Sequence, residues 1–157
     1  MAQYAQNTSV DETKSRAEIE KTLRRYGANE FMYGTKAGQA MIAFKARGRY
    51  IRFMLPLPDE YADEFTKTPS RRWLRSDRER LVAWEQACRQ RWRALALLIK
   101  AQLEAVETGI VTFEDVFLAM TVLPTGQTMS EWAAPQINEA YSTGHMPPSL
   151  MPGMGDR

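Results

Sequence analysis

AMIAFKARGRYIRFMLPLP, residues 40–58, sets two runs of alternating side chains on either side of Arg47-Gly48, the spacing of a two-residue β-hairpin. With that turn the register follows: Ala46 faces Arg49, Lys45 faces Tyr50, Phe44 faces Ile51, Ala43 faces Arg52 and Ile42 faces Phe53. Side chains alternate across a strand, so Ile42, Phe44, Ile51 and Phe53 share one face while Lys45, Tyr50 and Arg52 share the other. The cations mark the outer face. Arginine is unfavourable at a positive-φ turn position, and the alternative is a longer loop that shifts the register by one. Pro56 and Pro58 cannot donate to a ladder, so the sheet ends there in extended chain.

Upstream, the aromatic run after Asn29 supplies a third strand, placing strands at about 30–35, 40–46 and 49–55. Before it, Ser9-Val10-Asp11-Glu12 has capping-box spacing, and Ile19, Leu23 and Tyr26 recur on one helical face. Acidic residues open this segment, basic ones close it and Gly27 follows, which predicts a helix over about 10–26.

Downstream, DEYADEFTKTPSRRWLRS, residues 59–76, has no clean period and reads as a long loop of the functional or mobile kind. Its charge changes sign midway, from Asp59, Glu60, Asp63 and Glu64 to Arg71, Arg72 and Arg75 around Trp73. A long helix then runs from about 77 to 108, ended by Gly109. Leu81, Trp84, Cys88, Trp92, Leu95, Ile99, Leu103 and Val106 fall within an arc of about 100°, the expected core stripe. Arg78, Arg89, Arg93 and Lys100 form a basic stripe on one flank, with Arg80 and Arg91 on the other. Thr112 to Asp115 caps a shorter helix to about residue 121, and Leu123-Pro124-Thr125-Gly126 is a turn. Thr128 to Glu131 is a further capping box, for a helix to about Ser142 in which Pro135 makes a kink or marks the true start.

The fold class is α+β: an N-terminal helix, a three-stranded antiparallel sheet, a long amphipathic helix packed on it and two shorter C-terminal helices. One domain is expected over residues 9–144, with a flexible N-terminus at 1–8 and a disordered tail at 145–157.

With 157 residues, 44% hydrophobic and 25% charged, the composition is that of a single soluble globular domain. No apolar run reaches the roughly 18 residues of a membrane span and the first residues lack a signal-peptide layout, so no membrane partner and a cytoplasmic location are expected. One cysteine excludes an internal disulfide and a multi-thiolate metal site. The net charge of +2 conceals a segregation: residues 21–100 hold 18 Lys/Arg against 8 Asp/Glu, a balance of +10, and the rest hold 3 against 11, a balance of −8. A clustered positive field attracts polyanions; the bland counterpart is acidic ends that neutralise a basic middle within the chain.

No constellation for catalysis is present. The one histidine, His145, lies in the expected tail, and Cys88 lies on the apolar stripe, where a buried thiol is expected. Phosphate-loop, dinucleotide and zinc-protease motifs are missing, so no cofactor and no metal are assigned. Asp59, Glu60, Asp63 and Glu64 are the sole carboxylate cluster, which reads as solvated rather than cation-binding. The basic, aromatic-interleaved positions point elsewhere. Arg71, Arg72, Arg75, Arg89, Arg93 and Lys100 are candidate phosphate contacts, with Lys45, Tyr50, Arg52 and Trp73 completing a nucleic-acid-binding set.

RYGANEFMYG (25–34), RFMLPLPD (52–59), WEQACRQRWRALALLIKAQLEAVETGI (84–110), TFEDVFLA (112–119) and LPTGQTMSEWAAPQI (123–137) resemble a family of small uncharacterised proteins of tailed phages and prophages. The resemblance spans roughly residues 10–148 and implies a phage origin without a mechanism. Three antiparallel strands followed by a long helix also resemble, in fold alone, the core of phage single-strand annealing proteins, which implies DNA held between hairpin and helix and assembly into oligomers. The resulting expectation is a non-enzymatic, sequence-tolerant nucleic-acid-binding protein that prefers single-stranded DNA. Its rival is an adaptor or inhibitor that meets a host protein with an acidic surface. A third reading is a self-assembling homo-oligomer that buries Trp73, Trp84, Trp92 or Trp132 at subunit contacts.

Overall fold

The computed structural model describes residues 11–148; the expected flexible residues 1–8 and the tail beyond residue 148 lie outside them. Helix α1 (Glu12–Arg25) is capped by Asp11, whose carboxylate accepts from the Lys14 amide at 2.7 Å. The start therefore lies two residues beyond the expected one, at a carboxylate that also favours the helix dipole. Strands β1 (Asn29–Lys36), β2 (Gln39–Ala46) and β3 (Arg49–Pro56) form an antiparallel sheet in the order β1-β2-β3.

The β2–β3 register is the one the sequence predicts, from Ala46↔Arg49 to Ile42↔Phe53. Arg47 (φ 50°) and Gly48 (φ 76°) both take the left-handed conformation of the two-residue turn. Arg47 tolerates it because its side chain is anchored: the guanidinium lies over the Phe113 ring and 3.7 Å from Glu114. No longer loop is needed. Ile42, Phe44, Ile51 and Phe53 are buried against the long helix α3 (Asp77–Glu107), which settles which face of the sheet is inside.

Helix α3 opens on a Ser76–Glu79 capping box and buries Cys88, Trp92, Leu95, Ala96, Ile99 and Leu103. The expected core stripe holds from Cys88 onward, but Leu81 is exposed and Trp84 half-buried, because the first turns of α3 extend past the sheet. Helix α1 packs alongside α3. Segment 59–76, expected as an unstructured loop, contains one helical turn, α2 (Asp63–Thr66), whose Phe65 is buried, and a small hairpin bridged at Lys67↔Leu74. Helix α4 (Phe113–Phe117) continues into a 3-10 turn (Leu118–Met120), and Phe117 meets Phe44 and Phe53 edge-on in the core. Helix α5 (Met129–Thr143) starts at the Thr128–Glu131 capping box, so Pro135 lies inside it, and none of its residues is fully buried.

Candidate nucleic-acid interface

The outer face of the sheet carries Lys45, Tyr50 and Arg52, as the alternation requires, but each is engaged within the chain. Glu30 accepts from Lys45 Nζ at 3.0 Å and from the Tyr50 hydroxyl at 2.6 Å. The Tyr50 hydroxyl and then the Lys45 ammonium hold the Glu30 carboxyl below the usual carboxylate range. Arg52 donates to the Gly126 carbonyl at 3.0 Å and to Glu131 at 2.7 Å, fastening the start of α5 to β3. These three side chains are structural ties and leave the candidate site.

The hairpin in segment 59–76 positions a different set. Thr68 and Trp73 close it, with the Thr68 amide donating to the Trp73 carbonyl at 2.8 Å and the Trp73 amide to the Thr68 hydroxyl at 3.0 Å. Trp73 is held outward, 64% exposed, with the Arg71 guanidinium 5.1 Å from its ring centre. Arg72 turns back: it and Lys67 each bond Asp63 at 2.8 Å, and the Lys67 ammonium first, then Arg72, depress the Asp63 carboxyl's pKa. Arg75 donates to the carbonyls of Glu64 and Phe65, a contact that fixes its position without cancelling its charge.

Along α3 the stripe divides. Arg93 is paired with Glu18 of α1, which lowers its availability to a partner. Arg89 bonds only the neutral Gln86 amide oxygen, and Arg78 and Lys100 have no ion-pair partner among the described residues. Arg75, Arg78 and Arg89 come together around a shallow concavity of about 520 Å³ that includes Val82, Ala83, Gln86 and Glu79. Lys100 lies on the same helical face eleven residues beyond Arg89, at a rise of about 16 Å. Thus Arg75 and Arg89 of the expected set converge with Arg78, Arg71 and Trp73 stand together on the hairpin that precedes them, and Lys45, Tyr50, Arg52, Arg72 and Arg93 do not join this group.

Other candidates take defined places. Glu60 holds Arg80, which also lies over Tyr61, and Asp63 holds two cations, so half of the acidic cluster is spent on ion pairs. No group of metal-ligating side chains occurs among the described residues. Cys88 is buried, and burial pushes its thiol up to about 11, away from thiolate chemistry. Trp92 is buried in the core under the Arg16 guanidinium and Trp84 donates to the Pro58 carbonyl at 2.9 Å, which removes Trp92 from the surfaces able to form a subunit contact. No helix among the described residues is long and apolar enough to cross a membrane.

Val82 and Leu74 escaped the sequence reading as parts of this surface. Both sit where apolar residues ordinarily turn inward, and only the overhang of α3 and the hairpin leaves them exposed, at 55% and 81%. Comparison with protein families, curated proteins and solved structures gives no significant match for this chain.

Proposed function

We propose that the chain is a non-enzymatic, sequence-tolerant nucleic-acid-binding protein of a phage, with single strands preferred, and that the surface formed by the hairpin and the first turns of α3 makes the contact. The observation that supports it is the outward Trp73 with Arg71 against its ring, on the hairpin that leads into the concavity of Arg75, Arg78 and Arg89, none of which has an ion-pair partner among the described residues. An exposed indole stacks on any base, and the arginines track phosphates, so affinity comes without sequence readout. Three phosphate contacts to a single strand correspond to about a 20-fold loss of affinity for a fourfold rise in salt. Fluorescence anisotropy of a labelled single-stranded oligonucleotide at two salt concentrations, with a duplex competitor, tests this. Salt-sensitive binding that the duplex competes for poorly supports the reading, and salt-independent binding or none refutes it.

A second reading draws on Leu74 and Val82, exposed apolar side chains next to the same arginines. Such a surface also suits a host protein that presents an acidic, partly apolar patch. A single protein retained from lysate after nuclease treatment, with no oligonucleotide binding, selects this reading.

A further inference from the structure

The cations without ion pairs are not spread evenly over the molecule. Helices α1 and α3 pack side by side and point the same way: Arg16 lies over Trp92, Glu18 pairs with Arg93, and Tyr26 donates to Glu107 at 2.5 Å. On a helical wheel Lys14, Glu18, Lys21 and Arg25 of α1 fall within about 60°, and so do Arg78, Arg89, Arg93 and Lys100 of α3. The Glu18–Arg93 pair shows that these two arcs face each other, so they border one outer groove which that pair bridges. Lys14 and Lys21 on one side, and Arg89 and Lys100 on the other, have no ion-pair partner among the described residues, and the three lysines are exposed. Glu85 lies one turn before Arg89 and makes no ion pair with it. At one end the groove opens onto the concavity of Arg75, Arg78 and Arg89. At the other the positive charge stops: Glu104 lies one turn past Lys100, and Arg25 shares a hollow with Tyr26 and Glu107. Lys36, Arg49 and Arg91, also exposed and without ion pairs among the described residues, stand apart on β1, at the start of β3 and on the opposite flank of α3.

We propose, resting on the nucleic-acid reading, that a single strand held at the concavity continues along the groove between α1 and α3, with Lys14, Lys21 and Lys100 as further phosphate contacts. Between Arg89 and Lys100 neither arc carries an exposed apolar side chain of the kind a docked protein helix would bury, so a chain of phosphates suits the groove better than a protein. Lysine meets phosphate as a point charge and reads no base, so the length of the strand and not its sequence sets the added affinity. Glu104 and Glu107 bound the path. Arg78 and Lys100 are 22 positions apart (100 − 78), about 33 Å along the helix, which is the length of about ten stacked nucleotides. The strand bridges over Arg93, whose charge Glu18 already meets.

Anisotropy of labelled oligothymidylates of two lengths over a salt series tests the path. The slope of log affinity against log salt is expected at about −2 for a strand of about five nucleotides, which reaches three contacts, and about −4 for one of about twelve, which reaches six. A fourfold rise in salt then weakens the shorter strand about 20-fold and the longer about 300-fold. Lys14→Ala, Lys21→Ala and Lys100→Ala together should bring the longer strand to the slope of the shorter and leave the shorter unchanged. Lys36→Ala, Arg49→Ala and Arg91→Ala remove the same charge elsewhere and should alter neither slope. Equal slopes for the two lengths, or equal effects of the two triple variants, overturn the path along the groove while binding at the concavity stands. Competition by polyglutamate as strong as by the longer strand overturns the path as well, since an acidic protein would then serve equally. No binding of either strand overturns both the path and the reading on which it rests.

Discussion

The outer face of the sheet and the first turns of α3 carry the same chemistry, cations beside aromatic rings, and put it to different use. On the sheet, Lys45 and Tyr50 converge on Glu30, and Arg52 bridges the Gly126 carbonyl and Glu131. On α3 and the hairpin before it, Arg71 lies on an exposed indole, Arg75 on two carbonyls and Arg89 on an amide. The first group holds the fold together; the second has no ion pair among the described residues. Residue type alone does not separate them. What separates them is the acidic residues that the rest of the fold delivers: α5 brings Glu131 to the sheet and α1 brings Glu18 to Arg93, while Arg78 makes no ion pair among the described residues.

The sharpest contrast lies between the two sides of the same sheet and the hairpin. Phe44, fully buried between Phe31 and Phe117, should cost about 3–5 kcal/mol of stability on Phe44→Ala, whereas Trp73→Ala should cost less than about 0.5 kcal/mol. Chemical denaturation of both variants measures it, and a large loss at Trp73 would make that residue part of the core.

A smaller contrast separates the arginines. Arg52→Ala leaves the start of α5 untied and should destabilise by about 1 kcal/mol, while Arg78→Ala should stay within about 0.5 kcal/mol. Thermal melting of the pair decides whether the distinction between tie and free cation is real.

The weakest effect is that of pH. Glu131 is held below its ordinary range by the Thr128 amide first and Arg52 after it, and Glu30 by the Tyr50 hydroxyl first and Lys45 after it. A carboxyl depressed in the folded state contributes stability that is fully present above its unfolded pKa of about 4.3 and is lost as the pH falls through the folded value. The melting temperature should therefore decline below about pH 4, and Glu30→Gln should flatten that decline. Equal slopes in both proteins would show that Glu30 does not matter to the sheet.

The hairpin was legible because two independent signals agree there: the alternation of Ile42, Phe44, Ile51 and Phe53, and the Arg47-Gly48 turn. The long helix was legible from its period, save that periodicity does not reveal where the helix outruns its sheet, which is why Leu81 and Val82 are exposed. Segment 59–76 was not legible, since its hairpin rests on backbone bonds such as Arg75 N to Thr66 O at 2.8 Å, and a single Phe65 anchors it. The division of the cations was hidden for a different reason. Arg52 and Glu131 are 79 residues apart, and Arg93 and Glu18 are 75 apart, so their neutralisation is a property of the tertiary fold.

The most direct test compares two double variants of equal charge, Arg78→Ala with Arg89→Ala, and Lys45→Ala with Arg93→Ala, in oligonucleotide anisotropy across a salt series. Loss of two phosphate contacts should flatten the salt slope of the first variant by about 1.4, and the second should keep the slope of the unaltered protein. Equal slopes in the two variants, or a flatter one in the second, would contradict the assignment of the α3 arginines to a partner and of the sheet cations to the fold.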